Sequence, residues 1–396
     1  MPSPRRQSPI RRSPWMSAHP APPLNALIDA HLIGAQETGN ETYTAGLLSQ
    51  AAVFAEAGWQ VFALMPAPRP DLIAPAQTVA DPRCANDLYR FFRAIPRTLR
   101  ALRASLLHVN YHAPFWIKTP YVVMIHDISY CARPRFTTPR NLILQNALGL
   151  LTALRASAAT TPSYFSQREV ARLYPWLRGR VFVTPNAVKP AFYPRMMAEI
   201  EQVKNKFGII ASYYLFVGAP QPRKNVARVV EAFLSATHGL EHVQLVIAGK
   251  PAPALEKLRC AHQAAFASGR IVAIGYVPDD ELARLYSGCV ALVFPSLYEG
   301  FGIPVLEAMA CGAPVITSNS TALPEVAGEA ALLVDPKNTV AIATAMRRVL
   351  DEPELRGELR TRGFAHARQF TWARTARAAA EAYRAALEWQ RWRRGS

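Results

Sequence analysis

Short runs of consecutive apolar residues alternate with longer helical patterns along most of this chain, and the alternation starts twice. Leu24–Ile33, Gln60–Met65, Leu106–Asn110, Tyr121–Ile125 and Val181–Thr184 read as buried strands, with helical stretches such as Thr42–Glu56 between them. The order restarts at Tyr213–Val217 and runs through Val243–Ala248, Ile271–Gly275, Ala291–Phe294, Pro314–Thr317 and Ala331–Val334. A strand apolar at every position must be covered on both faces, and strands separated by helices pair in parallel. Two such sets predict an α/β chain of two facing, doubly wound domains, residues 21–195 and 196–370. Lys189–Asn205 reads as the connection, because Pro190, Pro194 and a charged stretch interrupt the pattern. After Val334 only helices are expected, over Thr339–Leu350, Pro353–Gln369 and Thr371–Arg394. The last, within residues 371–396, carries Trp372, Tyr383, Trp389 and Trp392, too much apolar surface for a free tail, and is expected to cross back to the first domain. Ligands of such sheets collect beyond the carboxyl ends of the strands, so the cleft between the domains is the expected site.

Composition narrows the partners less than the fold. A chain of 396 residues, 50% hydrophobic, is long enough for two or three cores and excludes disorder throughout. Lys and Arg total 45 against 28 Asp and Glu, a formal charge of +17. Only eight of the cations are lysines and 37 are arginines, which fits GC-rich coding as well as a polyanionic partner. Nucleic acid, an anionic membrane and a phosphorylated substrate are all compatible with that charge, although no basic–aromatic recognition motif supports nucleic acid. Residues 1–20, where Arg5, Arg6, Arg11 and Arg12 alternate with Pro and Ser, read as a disordered basic tail. Cys84, Cys131, Cys260, Cys289 and Cys311 are odd in number and scattered, which argues against a disulfide framework or a zinc site and for a reducing, cytoplasmic setting. Uncharged stretches such as Asn141–Leu154, with 14 residues, fall short of the ~18–20 that span a bilayer. Peripheral attachment at the inner face of the plasma membrane stays open.

The densest signal is Ser296–Gly312, SLYEGFGIPVLEAMACG, between the strand Ala291–Phe294 and a helix starting near Ile303 or Pro304. Gly300 and Gly302 let the backbone approach a ligand and aim N–H groups outward at a helix start, which favours an anion. Pro304 suits the first helical turn, where it wastes no donor. Glu299 and Glu307 flank this loop, and a carboxylate beside a phosphate site calls for a hydroxyl-rich partner such as ribose or a sugar. A second cluster follows Tyr213–Val217, in YLFVGAPQPRKNVARVV. Arg223 and Lys224 at a helix start oppose the macrodipole unless an anion such as a diphosphate joins them. His126 and Asp127 end the strand Tyr121–Ile125 on the cleft side, where a neutral His can donate to a sugar hydroxyl or phosphate oxygen. Asn110, Tyr111 and His112 end the preceding strand, with core or loop packing their expected use. Asp279, Asp280 and Glu281 read as a helix start after Pro278 rather than a metal site, and no other metal-ligand spacing occurs.

These residues resemble the retaining family 4 glycosyltransferases of the GT-B fold, whose E-x7-E motif corresponds here to Glu299 and Glu307. The resemblance continues through Pro314-Val315-Ile316, Leu323-Pro324-Glu325-Val326 and Ala331–Pro336, and covers most of residues 120–350. It implies two Rossmann-like domains and transfer of a hexose from a nucleoside-diphosphate sugar to a hydroxyl of a saccharide or lipid-linked acceptor, with retention. It implies that Glu307 binds the nucleotide ribose, while Glu299 and the backbone of Gly300, Phe301 and Gly302 hold the donor sugar. Arg223 and Lys224, following Gly218, would neutralise the departing diphosphate without a metal ion or other cofactor. Ala219 stands where the family's arginine lies, so Arg223 is assigned its role. His126 would contact the donor sugar, and Tyr276 and Val277 would border the base. The Gly-bearing loop Gly34–Tyr43, with Gly39 and Asn40, and also Asp127, would face the acceptor. The VG…PRKN and IHD variants resemble bacterial mannosyltransferases, implying GDP-mannose first and UDP-hexoses second. A GT-B epimerase or hydrolase of nucleotide sugars is the alternative, and a nucleic-acid binder the remotest.

Overall fold

The computed structural model describes residues 23–34, 38–70, 77–114, 116–128 and 139–395. The basic tail 1–20 and Cys131 lie outside the described residues. The N-terminal sheet contains β1 (Leu24–Asp29), β2 (Trp59–Met65), β3 (Gln77–Ala80), β4 (Leu106–Asn110), β5 (Tyr121–Met124), β6 (Ala158–Thr161) and β7 (Val181–Val183). The C-terminal sheet contains β8 (Ser212–Val217), β9 (Val243–Ala248), β10 (Ile271–Gly275), β11 (Ala291–Phe294), β12 (Val315–Ser318) and β13 (Leu332–Val334). Their orders are β3-β2-β1-β4-β5-β6-β7 and β10-β9-β8-β11-β12-β13, and the pairs are parallel. Each order reverses between its first and fourth strands, so each sheet has a switch point, at β1/β4 and β8/β11, where a crevice opens at the carboxyl ends.

Three expectations are corrected. The run Leu24–Ile33 is a strand only to Asp29; Ile33 N then bonds Ala30 O at 3.1 Å in a turn. The single helix over Thr42–Glu56 is two, Thr38–Leu48 and Ala51–Glu56, broken where the Ser49 hydroxyl donates to Gly46 O at 2.7 Å. The connection expected over Lys189–Asn205 ends in the helix Met197–Phe207, which buries Ile200 and Val203 and stops at Gly208 in the left-handed region, φ 66°. β6, sequence AATT, escaped the sequence reading because it lacks large apolar residues, yet all four positions are buried.

The final helix, Trp372–Gly395, packs on the N-terminal sheet. Trp372, Ala376, Ala379, Tyr383 and Ala386 form one helical stripe and share a core with Ile28, Val61 and Phe54. Five of its buried positions are alanines, which lets the helix lie close to the sheet. A Cβ at Gly46 would collide with the Trp372 ring, so this glycine is what admits the tryptophan. The Tyr383 hydroxyl meets His108 Nδ1 on β4 at 2.7 Å.

Candidate active site

The carboxyl ends of the two sheets face and touch each other. A Cβ at Gly300 would collide with the His126 carbonyl, so the loop after β11 lies directly on the end of β5. The Gly300 carbonyl accepts hydrogen bonds from the Ser163 and Ser166 hydroxyls, at 2.7 and 3.1 Å. Ser163 caps the helix Tyr164–Leu173 as well, accepting from Ser166 N at 3.0 Å. Glu325 accepts from the amides of Tyr164 and Phe165 at 2.8 and 3.1 Å, placing a carboxylate of one domain at a helix start of the other.

On the C-terminal side, one carboxylate holds two cations. Lys224 Nζ stands 2.7 Å from Glu299 Oε1, and Arg223 donates to Glu299 Oε2 at 3.1 Å. Gly218, φ 129°, leads from β8 into the 3-10 turn Pro222–Lys224 that carries both cations. Lys224 Nζ also lies 4.6 Å above the Phe294 ring. Burial would raise the Glu299 carboxyl, but Lys224 and Arg223 outweigh it and hold the group below its ordinary value. Burial likewise depresses the Lys224 ammonium, against the pull of Glu299. An anion such as a diphosphate entering between these cations would take over their charge and free Glu299 for other hydrogen bonds.

Three further residues fix this cluster. Asn225, left-handed at φ 63° and buried, donates to Pro295 O and Pro336 O at 2.9 and 2.6 Å, tying the β8 loop to that after β11. Leu297 N donates to Arg223 O at 2.8 Å, which adds a second tie. Thr321 at φ 61°, a conformation β-branched residues rarely adopt, accepts from Glu299 N at 3.3 Å.

Glu307 sits on the helix Ile303–Ala310 and is buried, with the Tyr286 hydroxyl donating to Oε2 at 3.2 Å. Burial pushes its carboxyl up to about 7, so without a ligand it is half protonated near neutral pH. Phe301 and Val277 turn into the core, so the contacts the resemblance implies there reduce to their backbone atoms. Tyr276, 46% exposed, remains on the surface, its ring 6.0 Å from Lys250 Nζ.

On the N-terminal side a chain of neutral groups leads to His126. Thr44 donates to Asn40 O at 2.9 Å, Asn110 Nδ2 donates to Thr44 Oγ1 at 3.1 Å, and His126 Nε2 lies 3.2 Å from Asn110 Oδ1. Because Asn110 Oδ1 only accepts, Nε2 carries the ring proton. A sugar hydroxyl reaching the other ring nitrogen therefore meets an acceptor, where the sequence reading had a donor. Burial pulls the His126 imidazole down to about 3, so it stays neutral. Tyr43 packs edge-on against it at 5.4 Å. Gly39 and Asn40 lie in the first turn of Thr38–Leu48 instead of the loop, and Glu41 accepts from Gly34 N at 2.8 Å. Asp127, expected to face the acceptor, stands at the domain boundary beside Gly300 and within electrostatic reach of Arg223. Among the described residues, no group of three or more His, Cys, Asp or Glu side chains is arranged to hold a metal ion.

Residues 200–366 match the family model for glycosyl transferases group 1, and residues 44–192 that for glycosyltransferase family 4. The O-antigen chain mannosyltransferase B of Escherichia coli is 32% identical over 324 residues, covering 76% of this chain and 84% of that protein. The chain belongs to the family 4 glycosyltransferases. Membership implies a nucleotide-sugar donor and a saccharide acceptor. The D-rhamnosyltransferase WbpZ of Pseudomonas aeruginosa is 27% identical, over 70% of this chain and 73% of the relative. The serotype-specific mannosyltransferase WbdA of Escherichia coli is 32% identical over 59% of this chain, which spans only 29% of that longer protein. Among solved structures, sucrose-phosphate synthase of Thermosynechococcus elongatus superposes with a TM-score of 0.69 at 20% identity, covering 91% of this chain and 98% of that one. HepE of Anabaena, in complex with UDP and glucose, gives 0.68 at 16% identity over 90% and 98%. The shared architecture is the two-domain GT-B fold, and in this glycosyltransferase the Glu299–Lys224–Arg223 cluster lies at the β8/β11 switch point.

Proposed function

We propose that this enzyme transfers mannose from GDP-mannose to a hydroxyl of a saccharide or lipid-linked acceptor in O-antigen-type polysaccharide assembly, with retention at the anomeric carbon. The observation that carries the reading is the 32% identity to O-antigen chain mannosyltransferase B over 76% of this chain, a stretch that includes much of both domains. In the transfer, the bond between the anomeric carbon and the β-phosphate oxygen breaks while the acceptor oxygen bonds that carbon on the same face. The acceptor proton leaves to the departing diphosphate. Charge accumulates on that diphosphate, so Lys224 and Arg223 at the mouth of β8 supply the dominant stabilisation in place of a divalent cation. His126 and Glu299 position the sugar, and Glu307 accepts from the ribose hydroxyls.

The enzyme acts at the cytoplasmic face of the membrane, where its charge of +17 draws it toward anionic lipid. No helix among the described residues is long and apolar enough to cross a bilayer. Calorimetry across GDP-mannose, GDP-fucose, UDP-glucose and UDP-galactose, with chelator present, tests the donor. GDP-mannose is expected to bind at least about tenfold more tightly than either UDP-sugar, about 1.4 kcal/mol. A preference for a UDP-sugar, or a metal requirement, overturns the reading. Product release without an acceptor would favour a hydrolase.

A further inference from the structure

Over its last ten residues, 146–155, the helix Pro139–Arg155 turns an apolar stripe outward. Ala147, Leu150, Leu151 and Leu154, spaced i, i+3, i+4 and i+7, are exposed, while Thr152 and Ala153 face the core. Exposed leucines arranged along one helix face ask for a covering partner. The stripe runs without a break into a cationic region. Trp176, itself 38% exposed, donates from Nε1 to Ala153 O at 2.9 Å. Arg180 bonds Trp176 O, Ala156 O and Ser157 O, and its guanidinium lies 3.9 Å over Trp389. Trp389 in turn stacks on Trp392, with ring centroids 4.7 Å apart.

Beside these aromatics a pocket of about 210 Å³ opens at the amino end of β5 and β6, the edge opposite the catalytic cleft. Its walls come from three elements: the β4–β5 connection, the end of Pro139–Arg155 and the end of Trp372–Gly395. They bring Lys118, Arg155, Arg393 and Arg394 together, and among the described residues no carboxylate lines the pocket. None of the four forms an ion pair among the described residues, although Arg side chains elsewhere in the fold pair widely with Asp and Glu. Arg393 also lies near enough to Arg180 to oppose its charge. Four like charges gathered around a small concavity leave an electrostatic demand that a phosphate oxygen meets.

We propose that this surface seats the enzyme on an anionic bilayer, with a phospholipid phosphate entering the pocket of Lys118, Arg155, Arg393 and Arg394 while Leu150, Leu151, Leu154 and Trp392 enter the interfacial layer. Charge complementarity and adjoining apolar side chains select a lipid surface, since a free phosphate or a nucleic acid would use only the cations. The inference rests on the membrane-side reading of the acceptor given above. It adds an orientation: the cleft at the carboxyl ends of the strands stands off from the lipid by the height of the sheet. That geometry suits an acceptor whose growing end projects away from its anchor.

Co-flotation of the full chain with phosphatidylcholine vesicles, with and without phosphatidylglycerol, tests this apart from transfer. Binding is expected only when phosphatidylglycerol is present. Arg155→Glu with Arg393→Glu should lower the partition coefficient at least about tenfold. Leu150→Ser with Leu154→Ser should lower it about tenfold at high salt, where the cations are screened. These side chains are exposed, so thermal unfolding and transfer to a soluble acceptor should remain as in the parent. Absence of vesicle binding overturns the proposal, as does binding that neither double variant weakens, or that follows the tail arginines Arg5 and Arg6 instead. Pocket-dependent binding of RNA or polyphosphate without vesicle binding overturns it in favour of a soluble polyanion. Vesicle binding that depends on the pocket, in a protein that fails to use GDP-mannose, would sustain the docking surface and sink the donor assignment.

Discussion

Around the cleft, the C-terminal sheet presents paired charge, with Glu299 holding Lys224 and Arg223 within about 3 Å at the β8/β11 crevice. The N-terminal sheet answers with the neutral chain Asn40–Thr44–Asn110–His126, whose imidazole burial keeps unprotonated. Two sheets of the same strand order thus divide the chemistry. One holds the paired charge on which the proposed mechanism draws for a leaving diphosphate, and the other offers hydrogen-bonding groups whose protonation does not change near neutral pH. The division follows from what each must meet, because a buried charge is tolerable only with a counter-charge waiting. Glu299 supplies that counter-charge to Lys224 and Arg223.

Removing the stored charge should cost most. Lys224→Ala is expected to lower kcat/KM about 10³-fold, and Glu299→Ala at least ~10²-fold, with the circular dichroism spectrum unchanged. Near-parental turnover in either variant would mean that the charged cluster is architectural and the contrast between the halves false. On the neutral side the expected loss is smaller. Asn110→Leu frees the His126 ring from Asn110 without touching the sugar, and a misplacement of that kind costs up to ~10²-fold in kcat. Because the His126 imidazole is pulled down to about 3, this loss should be constant between about pH 5 and 8. A loss that varied across that range would show that His126 titrates and that the N-terminal half is not the neutral one.

The same division explains what the sequence disclosed. The charged half was legible because its groups lie in two contiguous segments, Gly218–Lys224 and Glu299–Glu307, each at a strand end before a helix. The doubly wound fold was legible from unbroken apolar runs such as Val243–Ala248, buried at all six positions. In the neutral half His126 and Asn40 stood out singly but their link did not, because Thr44, Asn110 and His126 lie 66 and 16 residues apart and meet only when β1, β4 and β5 pair. Asn225 and Thr321 were invisible for a related reason: their part is a backbone conformation, and no composition or spacing announces it. Gly39 and Asn40 were placed in a loop because glycine suggests one, whereas the helix already begins at Thr38.

A third test uses Glu307, whose side chain is bonded by the Tyr286 hydroxyl and forms no ion pair among the described residues. Glu307, raised by burial from 4.5 to about 7, would have to ionise to accept strongly from ribose hydroxyls, the partner proposed for it. Donor affinity should therefore be full above pH 7 and fall as the pH drops through it, by about tenfold at pH 6 relative to pH 8. Glu307→Gln should bind more weakly and lose the slope. An intact nucleotide sugar is the right probe, because its diphosphate diester has no proton to gain in this range. Donor-free stability carries the opposite sign: the folded protein retains a proton that the unfolded chain releases above pH 4.5, so stability declines toward pH 7 as donor affinity rises. If both rose together, a group other than Glu307 would be responsible.

The smallest expected effect separates the halves by how each is closed. Within the C-terminal half, the Tyr214 hydroxyl donates to Met346 O at 2.6 Å on the flanking helix Thr339–Asp351, a local tie. In the N-terminal half the matching role falls to Tyr383, from the far end of the chain, which meets His108 Nδ1 at 2.7 Å and stacks on Phe54 at 5.5 Å. Tyr383→Phe keeps the ring and leaves a buried imidazole nitrogen without that partner, at a cost of about 1 kcal/mol. Since the final helix shares its core with β1 and β2, the loss should register where Trp59, edge-on to Tyr383 at 5.3 Å, reports unfolding. Tyr214→Phe should cost a similar amount without moving the Trp59 signal first. Equal shifts of a single transition in both variants would instead mean that the crossing helix has fused the two sheets into one cooperative unit.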